Sequence, residues 1–413
     1  MEQTVRYRYR AYPTRAQQQA ITRLFGCCRV VWNDTITLFR ERFNPNTHDM
    51  PSMSDMQSIV ITQAKTTPER AWLGEVSNVA LIQAFRDALQ ACWNGARHDR
   101  RQRFARYRSK KRTPINSARF TRNGFHITEH GTFIAKIGVI TTKWSRALPS
   151  EPSSCTLIHE PNGRWYVSFV VKRPVTPLPP TGTNAAIDLG FNTLATMVNT
   201  QGERRHVANP RNYTHTERRI KHAQRALSRK QKGSNRYHKA KQHLASLHTK
   251  TRDQLTDYQY KQVLSLVRDT QAVGIEDLNV AGMTKRHGKS VRNTAISGFV
   301  AKLEHKAEQY GRSIMRIGRF EPSTRLCALC KHHVDGGIPE QVRVWQCAQC
   351  GAILDRDYNA ALNILDAAGL AESLNAHGDD ARRALAAAGA RNRQRSANPT
   401  DGAAGSALGI PVL

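Results

Sequence analysis

Four cysteines and three acids have the types and spacing that chemistry needs. Cys327-Ala-Leu-Cys330 and Cys347-Ala-Gln-Cys350 are two CxxC pairs with sixteen residues between them. Four thiolates so spaced close a tetrahedral shell around Zn²⁺, and a closed shell makes the ion structural rather than catalytic. A disulfide is the weaker reading, because nothing points to secretion. His332 and His333 are surplus to a four-cysteine site and read as surface or nucleic-acid contacts. Lys331, Arg343 and Trp345 suit a knuckle that touches a phosphate backbone. Directly after the second pair comes Leu354-Asp355-Arg356-Asp357-Tyr358-Asn359-Ala360-Ala361, the acidic start of an amphipathic helix.

Asp188 ends the apolar run Ala185-Ala186-Ile187, and Glu276 ends Ala272-Val273-Gly274-Ile275. With Asp357 they make three acids at three element ends. Any one alone reads as a turn or helix cap. Their order and spacing, in strongly basic surroundings, point instead to phosphodiester hydrolysis. That reaction uses two divalent ions ~3.5–4 Å apart, one activating water and one stabilising the leaving oxygen. Hard Mg²⁺ selects carboxylate oxygens, and clustered acids repel one another without it. Asp355 reads as a helix N-cap, with metal ligation as the alternative. Asp277 points away from Glu276 if the strand continues, which favours Glu276.

The elements that must position these residues follow from patterning. Residues 5–10 alternate as a strand, and Pro13 starts a helix to about Phe43. Helical stretches near 53–65 and 75–100 follow. Residues 115–172 read as short strands with turns at Asn123-Gly124, His130-Gly131 and Asn162-Gly163, implying a small β-barrel. Pro174–Pro180 is a stiff linker. Buried strands then end at Asp188 and Glu276, with shorter strands near 193–199 and 203–207. Helices are expected over 211–250, 253–270 and 297–310, with a mobile basic loop at 280–294. From about 371 the chain lacks apolar periodicity and reads as disordered.

Lys+Arg number 63 against Asp+Glu 32, a formal charge of +31. A polyanion partner is the economical way to neutralise that excess. Two nearly acid-free stretches stand out: 97–122, with Arg103, Arg106, Lys110 and Lys111, and 211–250, with Arg218, Arg219, Lys221, Arg225, Arg229 and Lys230. Tyr7, Tyr9, Phe104, Tyr107, Tyr213 and Tyr237 are candidates to stack on unpaired bases, and each reads equally as a packing residue. No apolar run approaches the ~20 residues of a membrane span. Met1–Arg6 has no signal-peptide core, so a cytoplasmic protein with reduced thiols is expected. Cys27, Cys28, Cys92 and Cys155 sit in apolar settings as packing residues.

The motifs Ala186-Ile187-Asp188-Leu189-Gly190 and Gly274-Ile275-Glu276-Asp277-Leu278, the four cysteines and Asp355-Arg356-Asp357-Tyr358-Asn359-Ala360-Ala361, in this order, resemble the TnpB family. TnpB proteins are transposon-encoded RNA-guided endonucleases related to the type V CRISPR effectors. The resemblance spans roughly residues 1–375. It implies a multidomain α+β fold: a wedge-like β-barrel over 1–12 and 113–173, with a helical recognition insertion at 13–112. A linker at 174–180 precedes a RuvC-like nuclease domain of ribonuclease H fold over 181–321 and 351–370. A zinc ribbon for target loading occupies 322–350, and 371–413 is a tail.

By this resemblance Asp188, Glu276 and Asp357 form the catalytic triad on a two-ion Mg²⁺ site, with Asp188 bridging, and the cysteines hold structural Zn²⁺. The implied partners are a guide RNA from the transposon end and a double-stranded DNA target beside a short adjacent motif, with a monomer favoured. The Gly282–Asn293 segment is then a candidate lid. Ser323-Thr324-Arg325-Leu326-Cys327 replaces the family's Ser-Ser-Gln-x-Cys, Lys331 stands where glycine is common, and Ala348 where proline is. The competing readings are a guided regulator that no longer cuts, an unguided resolvase-like nuclease or transposase, and a zinc-ribbon RNA-binding factor. The last leaves Asp188 and Glu276 unexplained.

Overall fold

The computed structural model describes residues 2–43, 50–96, 104–110, 116–319, 321–339 and 341–371. The expected disordered tail, apart from Ala371, lies outside them. Contacts divide the chain into two compact units, Met1–Pro174 with Ala226–Ser246, and Val175–Arg225 with Leu247–Leu413. The sequence reading had put 226–246 in the nuclease segment.

The first unit contains β1 (Glu2–Tyr12), α1 (Arg15–Arg42), α2 (Met53–Gln57), α3 (Asn78–Ala96), β2 (Asn116–Thr121), β3 (Phe125–Thr128), β4 (Gly131–Ile134), β5 (Gly138–Lys143), β6 (Ser154–His159) and β7 (Trp165–Pro174). The strands form one antiparallel sheet in the order β2-β6-β7-β1-β5-β4-β3. The edge strands β2 and β3 are joined by the turn Arg122–Gly124, so the sheet is nearly closed. Val5, Tyr9 and Ala11 of β1 face the core, while Arg6 and Arg8 on the other face are exposed.

Tyr9 is 1% exposed and lies against Trp144 and Phe169. That decides for packing over base stacking at Tyr9: the alternation of β1 turns Val5, Tyr9 and Ala11 inward. Thr14 caps α1 in a reciprocal box with Gln17. The face Ile21, Leu24, Phe25, Cys28, Val31 and Phe39 shares a core with Leu81, Phe85, Leu89 and Cys92 of α3. The expected helix near 53–65 is α only to Gln57; Ser58–Gln63 is π-helical and Ala64–Thr66 is 3₁₀. The β-branched Ile59, Val60 and Ile61 disfavour regular helix there.

The second unit holds β8 (Asn184–Leu189), β9 (Thr193–Asn199), β10 (Arg204–Ala208), β11 (Ala272–Glu276), α6 (Val280–Thr294), α7 (Ile296–Tyr310), β12 (Ser313–Ile317), β13 (Val344–Gln346), β14 (Ile353–Asp355) and α8 (Arg356–Ala367). It also takes most of α4 (Asn212–Ser228) and α5 (Asn235–Asp269). Its sheet runs β10-β9-β8-β11-β12: β8, β9 and β10 are an antiparallel meander, and β11 and β12 lie parallel to β8. Alternation sends Ala185, Ile187 and Leu189 to a core with Val263, Val267, Phe299 and Leu303 of α5 and α7. Ala186 and Val198 on the opposite face meet Ala361, Ile364 and Leu365 of α8.

Gly274 belongs to that opposite face. A Cβ there would lie 3.1 Å from the Ala368 Cβ and 3.4 Å from the Ala186 Cβ. Glycine is what lets the end of α8 sit against β11.

Residues 280–294 form a helix, α6, where a mobile loop was expected. Asn279 caps it by accepting from the Gly282 N–H at 3.1 Å. Lys289 pairs with Glu217 at 2.7 Å, and Arg292 donates to the Tyr213 hydroxyl at 3.1 Å. Each interior glycine costs a helix about 1 kcal/mol, and these contacts with α4 oppose that cost.

Candidate active site and metal centre

β8 and β11 are adjacent and parallel, with Ile187 opposite Ile275. Asp188 and Glu276, one residue further on each, therefore leave the sheet side by side. Both belong to the face covered by α8, whose second residue is Asp357. Asp355 is the N-cap of α8, its Oδ1 accepting from the N–H groups of Asp357 at 3.0 Å and Tyr358 at 3.1 Å. It is buried, and capping is its observed role.

The three acids line one open pocket of about 680 Å³ together with Gly190, Asn192, Asn279, Met283, Thr324, Arg343 and Arg356. Asp277 is not among the lining residues; it pairs with Arg319 at 2.7 Å.

Burial raises the Asp188 carboxyl from 3.8 to about 8, with the charges of Glu276 and Asp357 adding to the rise. Burial also raises Glu276, opposed by its hydrogen bond from Ser323. A fold that holds carboxylates in this unfavourable state is prepared for a cation.

Two hydrogen-bond partners of the pocket acids were not foreseen as such. Arg343 donates to Asp357 Oδ1 at 3.0 Å, and the Ser323 hydroxyl donates to Glu276 Oε1. Arg343 had been read as a backbone contact of the knuckle. The β13–β14 hairpin turns it inward: Val344 pairs with Asp355, and the Arg356 N–H donates to the Arg343 carbonyl at 2.8 Å. The sequence held no signal for this, since the hairpin partner of Arg343 is set only by the closing of the cysteine loop.

The sulfurs of Cys327, Cys330, Cys347 and Cys350 all lie within 4.8 Å of one another. Cys327 and Cys350 are 3.8 Å apart, and Cys330 and Cys347 3.6 Å. Zn–S bonds of about 2.3 Å give a tetrahedral edge of about 3.8 Å, so the donor set fits zinc. His332 and His333 are outside it. Among the described residues, no other Cys, His, Asp or Glu group of three or more closes this tightly. Cys27, Cys28, Cys92 and Cys155 are buried free thiols, in keeping with packing roles.

Arg218, Arg219, Lys221, Arg225, Arg229 and Lys230 are exposed along α4 and the turn after it. Arg106 and Lys110 are exposed; Arg103 and Lys111 lie outside the described residues. Among the described residues no helix is long and apolar enough to cross a membrane.

Three sequence families match: one described as "Probable transposase" over residues 168–287, one as "Cas12f1-like, TNB domain" over 297–364, and a "Helix-turn-helix domain" over 1–46. A Streptomyces pristinaespiralis protein whose name describes an RNA-guided DNA endonuclease is 36% identical over 380 residues, covering 90% of this chain and 91% of the relative. The chain belongs to the TnpB family.

InsQ of Escherichia coli K12, also named for RNA-guided DNA endonuclease function, is 27% identical over 388 residues, covering 89% and 93% of the two chains. The Cas12f1 chain of a Cas12f1–sgRNA–target DNA complex superposes with a TM-score of 0.51 at 13% identity, covering 88% of this chain and 98% of that one. This likeness supports a shared multidomain α/β fold. The described part of 1–46 is a strand followed by one long helix, not two helices about a turn. The match over 297–364 takes in α7, the cysteine ribbon and most of α8 of this TnpB-family chain.

Proposed function

We propose that this protein is an RNA-guided DNA endonuclease of an insertion sequence, which cuts double-stranded DNA at the pocket of Asp188, Glu276 and Asp357. The observation that carries the reading is their convergence. Two parallel strand ends and one helix start, far apart in sequence, deliver three carboxylates to one open pocket. The sheet order, an antiparallel meander followed by parallel strands, supports the reading of this unit as a RuvC-like nuclease domain of ribonuclease H fold.

The three acids would hold Mg²⁺, which when bound supplies an activated water and charge stabilisation at the leaving oxygen. The chain's own residues do the rest. Asp188, whose carboxyl feels the charges of both Glu276 and Asp357, would hold the cation together with them. Arg343 brings a cation to the pocket wall, suited to a phosphate oxygen. Met283 and Ile296 give one wall an apolar surface. The first turn of α6, which lines the pocket through Gly282 and Met283, takes the place proposed for a lid.

Sequence choice belongs to the guide RNA, while the exposed cations of α4 grip backbone charge. A short motif beside the target would be read by the protein itself. Cys327, Cys330, Cys347 and Cys350 would hold zinc and so fix the loop that carries Arg343. A guided regulator that no longer cuts would be expected to lack one of the acids; all three are present.

The test is to purify the protein from cells carrying its native flanking DNA and to sequence any RNA that co-purifies. One RNA species from the element's end is the expected result. A protein free of RNA, yet nicking DNA with Mg²⁺, would move it to the unguided nucleases.

A further inference from the structure

Glu276 takes a hydrogen bond from the lead-in to the first cysteine pair. The Ser323 hydroxyl donates to its Oε1. Ser323 is itself 7% exposed and is held from two sides. Its N–H donates to the Glu321 carbonyl at 2.8 Å, and its carbonyl accepts from Asn363 Nδ2 of α8 at 2.8 Å.

The same amide of Asn363 reaches the Leu326 carbonyl at 2.7 Å, which also accepts from Asn359 Nδ2 at 2.8 Å. Asn359 Oδ1 accepts in return from the Ala328 N–H at 2.8 Å. Ala328 lies inside the first CxxC pair. Two buried asparagines of α8, Asn359 and Asn363, therefore clamp the segment from Ser323 to Ala328, and that segment contains Cys327 of the four-cysteine site.

We infer that Ser323 is a positioning residue for Glu276, and that through the Asn359–Asn363 clamp it couples filling of the four-cysteine site to the cation affinity of the acidic pocket. This rests on the reading of Asp188, Glu276 and Asp357 as a metal site. A carboxylate that must meet a cation has several rotamers, and a donor on one oxygen selects one and leaves the other oxygen free. Groups in this relation to a ligand typically set metal affinity by about 10–100-fold. Coupling is reciprocal: if zinc at the ribbon tightens the pocket, cation in the pocket tightens zinc. Mg²⁺ alone leaves the ribbon unexplained, and the ribbon alone leaves the buried Ser323–Glu276 bond unexplained; the clamp joins them.

The experiment measures Mn²⁺ binding to the zinc-loaded protein by calorimetry and by the electron paramagnetic resonance of free ion. Wild type, Asp188→Ala, Ser323→Ala and Ser323→Thr are compared, with zinc content measured for each. The expected result is Mn²⁺ binding that Asp188→Ala removes and Ser323→Ala weakens about tenfold with four-cysteine zinc retained. Ser323→Thr, which keeps the hydroxyl, recovers most of the affinity. Zinc-stripped wild type should bind Mn²⁺ as weakly as Ser323→Ala.

If Ser323→Ala binds Mn²⁺ as wild type does, the positioning role is wrong while the metal reading stands. If Ser323→Ala and Ser323→Thr lose affinity equally, the hydroxyl is not the cause and the inference fails. If wild type binds no Mn²⁺ that Asp188→Ala removes, the metal reading itself fails and takes this inference with it.

Discussion

Arg343, one residue ahead of β13, donates to Asp357 Oδ1 at 3.0 Å, with 30% and 13% of the two side chains exposed. The ribbon and the helix that carries the third acid thus share an ion pair at the pocket wall. Arg343 competes with any cation for Asp357, yet it also brings positive charge to where a phosphate would sit. Arg343→Gln should therefore separate two quantities. Divalent-cation affinity should rise roughly fivefold, the scale of about 1 kcal/mol for a partly exposed pair. Cleavage should fall at least tenfold, the size of losing one charge-assisted contact in the transition state. Calorimetry and single-turnover cleavage would measure the two; tighter metal with unchanged cleavage would remove Arg343 from the reaction.

The pocket acids make stability depend on pH in a definite direction. The folded protein holds the Asp188 proton up to about pH 8, while the unfolded chain releases it near 3.8. Between those values the folded state binds more protons, so stability falls as pH rises. Glu276 acts in the same direction. A cation held by the ionised carboxylates of the folded form would offset the loss. In magnesium-free buffer the melting temperature should fall from pH 5 to pH 8, and the gain from Mg²⁺ should be larger at pH 8 than at pH 6. Asp188→Asn should melt higher than wild type at pH 8 without Mg²⁺, by roughly 1–2 kcal/mol. A Mg²⁺ effect independent of pH would contradict the raised carboxyl.

Lys331 sits in the left-handed region at φ 59°, and its ammonium pairs with Asp366 on α8. The backbone conformation costs a non-glycine residue of order 1–3 kcal/mol, and a partly exposed ion pair returns up to about 1 kcal/mol. Lys331→Gly should be near neutral or stabilising. Lys331→Ala keeps the strain and loses the pair, so it should destabilise. Thermal melts of both variants, with zinc content as control, would check this; equal melting of the two would show that the backbone angle carries no cost.

The α4 cations should act through salt. Each phosphate contact contributes about 0.7–0.9 to the slope of log affinity against log salt. Replacing exposed Arg218, Arg219 and Arg225 together with Ala should lower that slope for RNA by about two to three. Titrations at several salt concentrations would read it. A slope unchanged from wild type would place the RNA elsewhere.

What could be read ahead of the structure was what local pattern fixes. Asp188 and Glu276 end apolar runs, and a strand buried on both faces can expose an acid only at its end. Asp357 follows an N-cap, and the cysteines announce themselves by spacing. Glu276 rather than Asp277 faces the pocket because period-two alternation decides it.

Arg343 and Ser323 were not legible as hydrogen-bond partners of the pocket acids, since their places depend on how the cysteine loop folds back on α8. The helix α6 was missed because Gly282 and Gly288 argue for a loop, while its contacts with Glu217 and Tyr213 are invisible locally. Packing and stacking stay open for Tyr9 in the sequence because an alternating basic-aromatic strand has no label for which face is inward.

The most direct test of the whole account is guide-dependent cleavage. Purified protein with its co-purified RNA would be incubated with Mg²⁺ and plasmids that carry the guide-matched target beside randomised flanking bases. The account predicts linear product only with a matched target and a narrow set of flanking bases, none with Asp188→Ala, Glu276→Ala or Asp357→Ala, and guided binding preserved in all three variants. Cleavage that survives Asp188→Ala, or binding lost in all three variants, would contradict it.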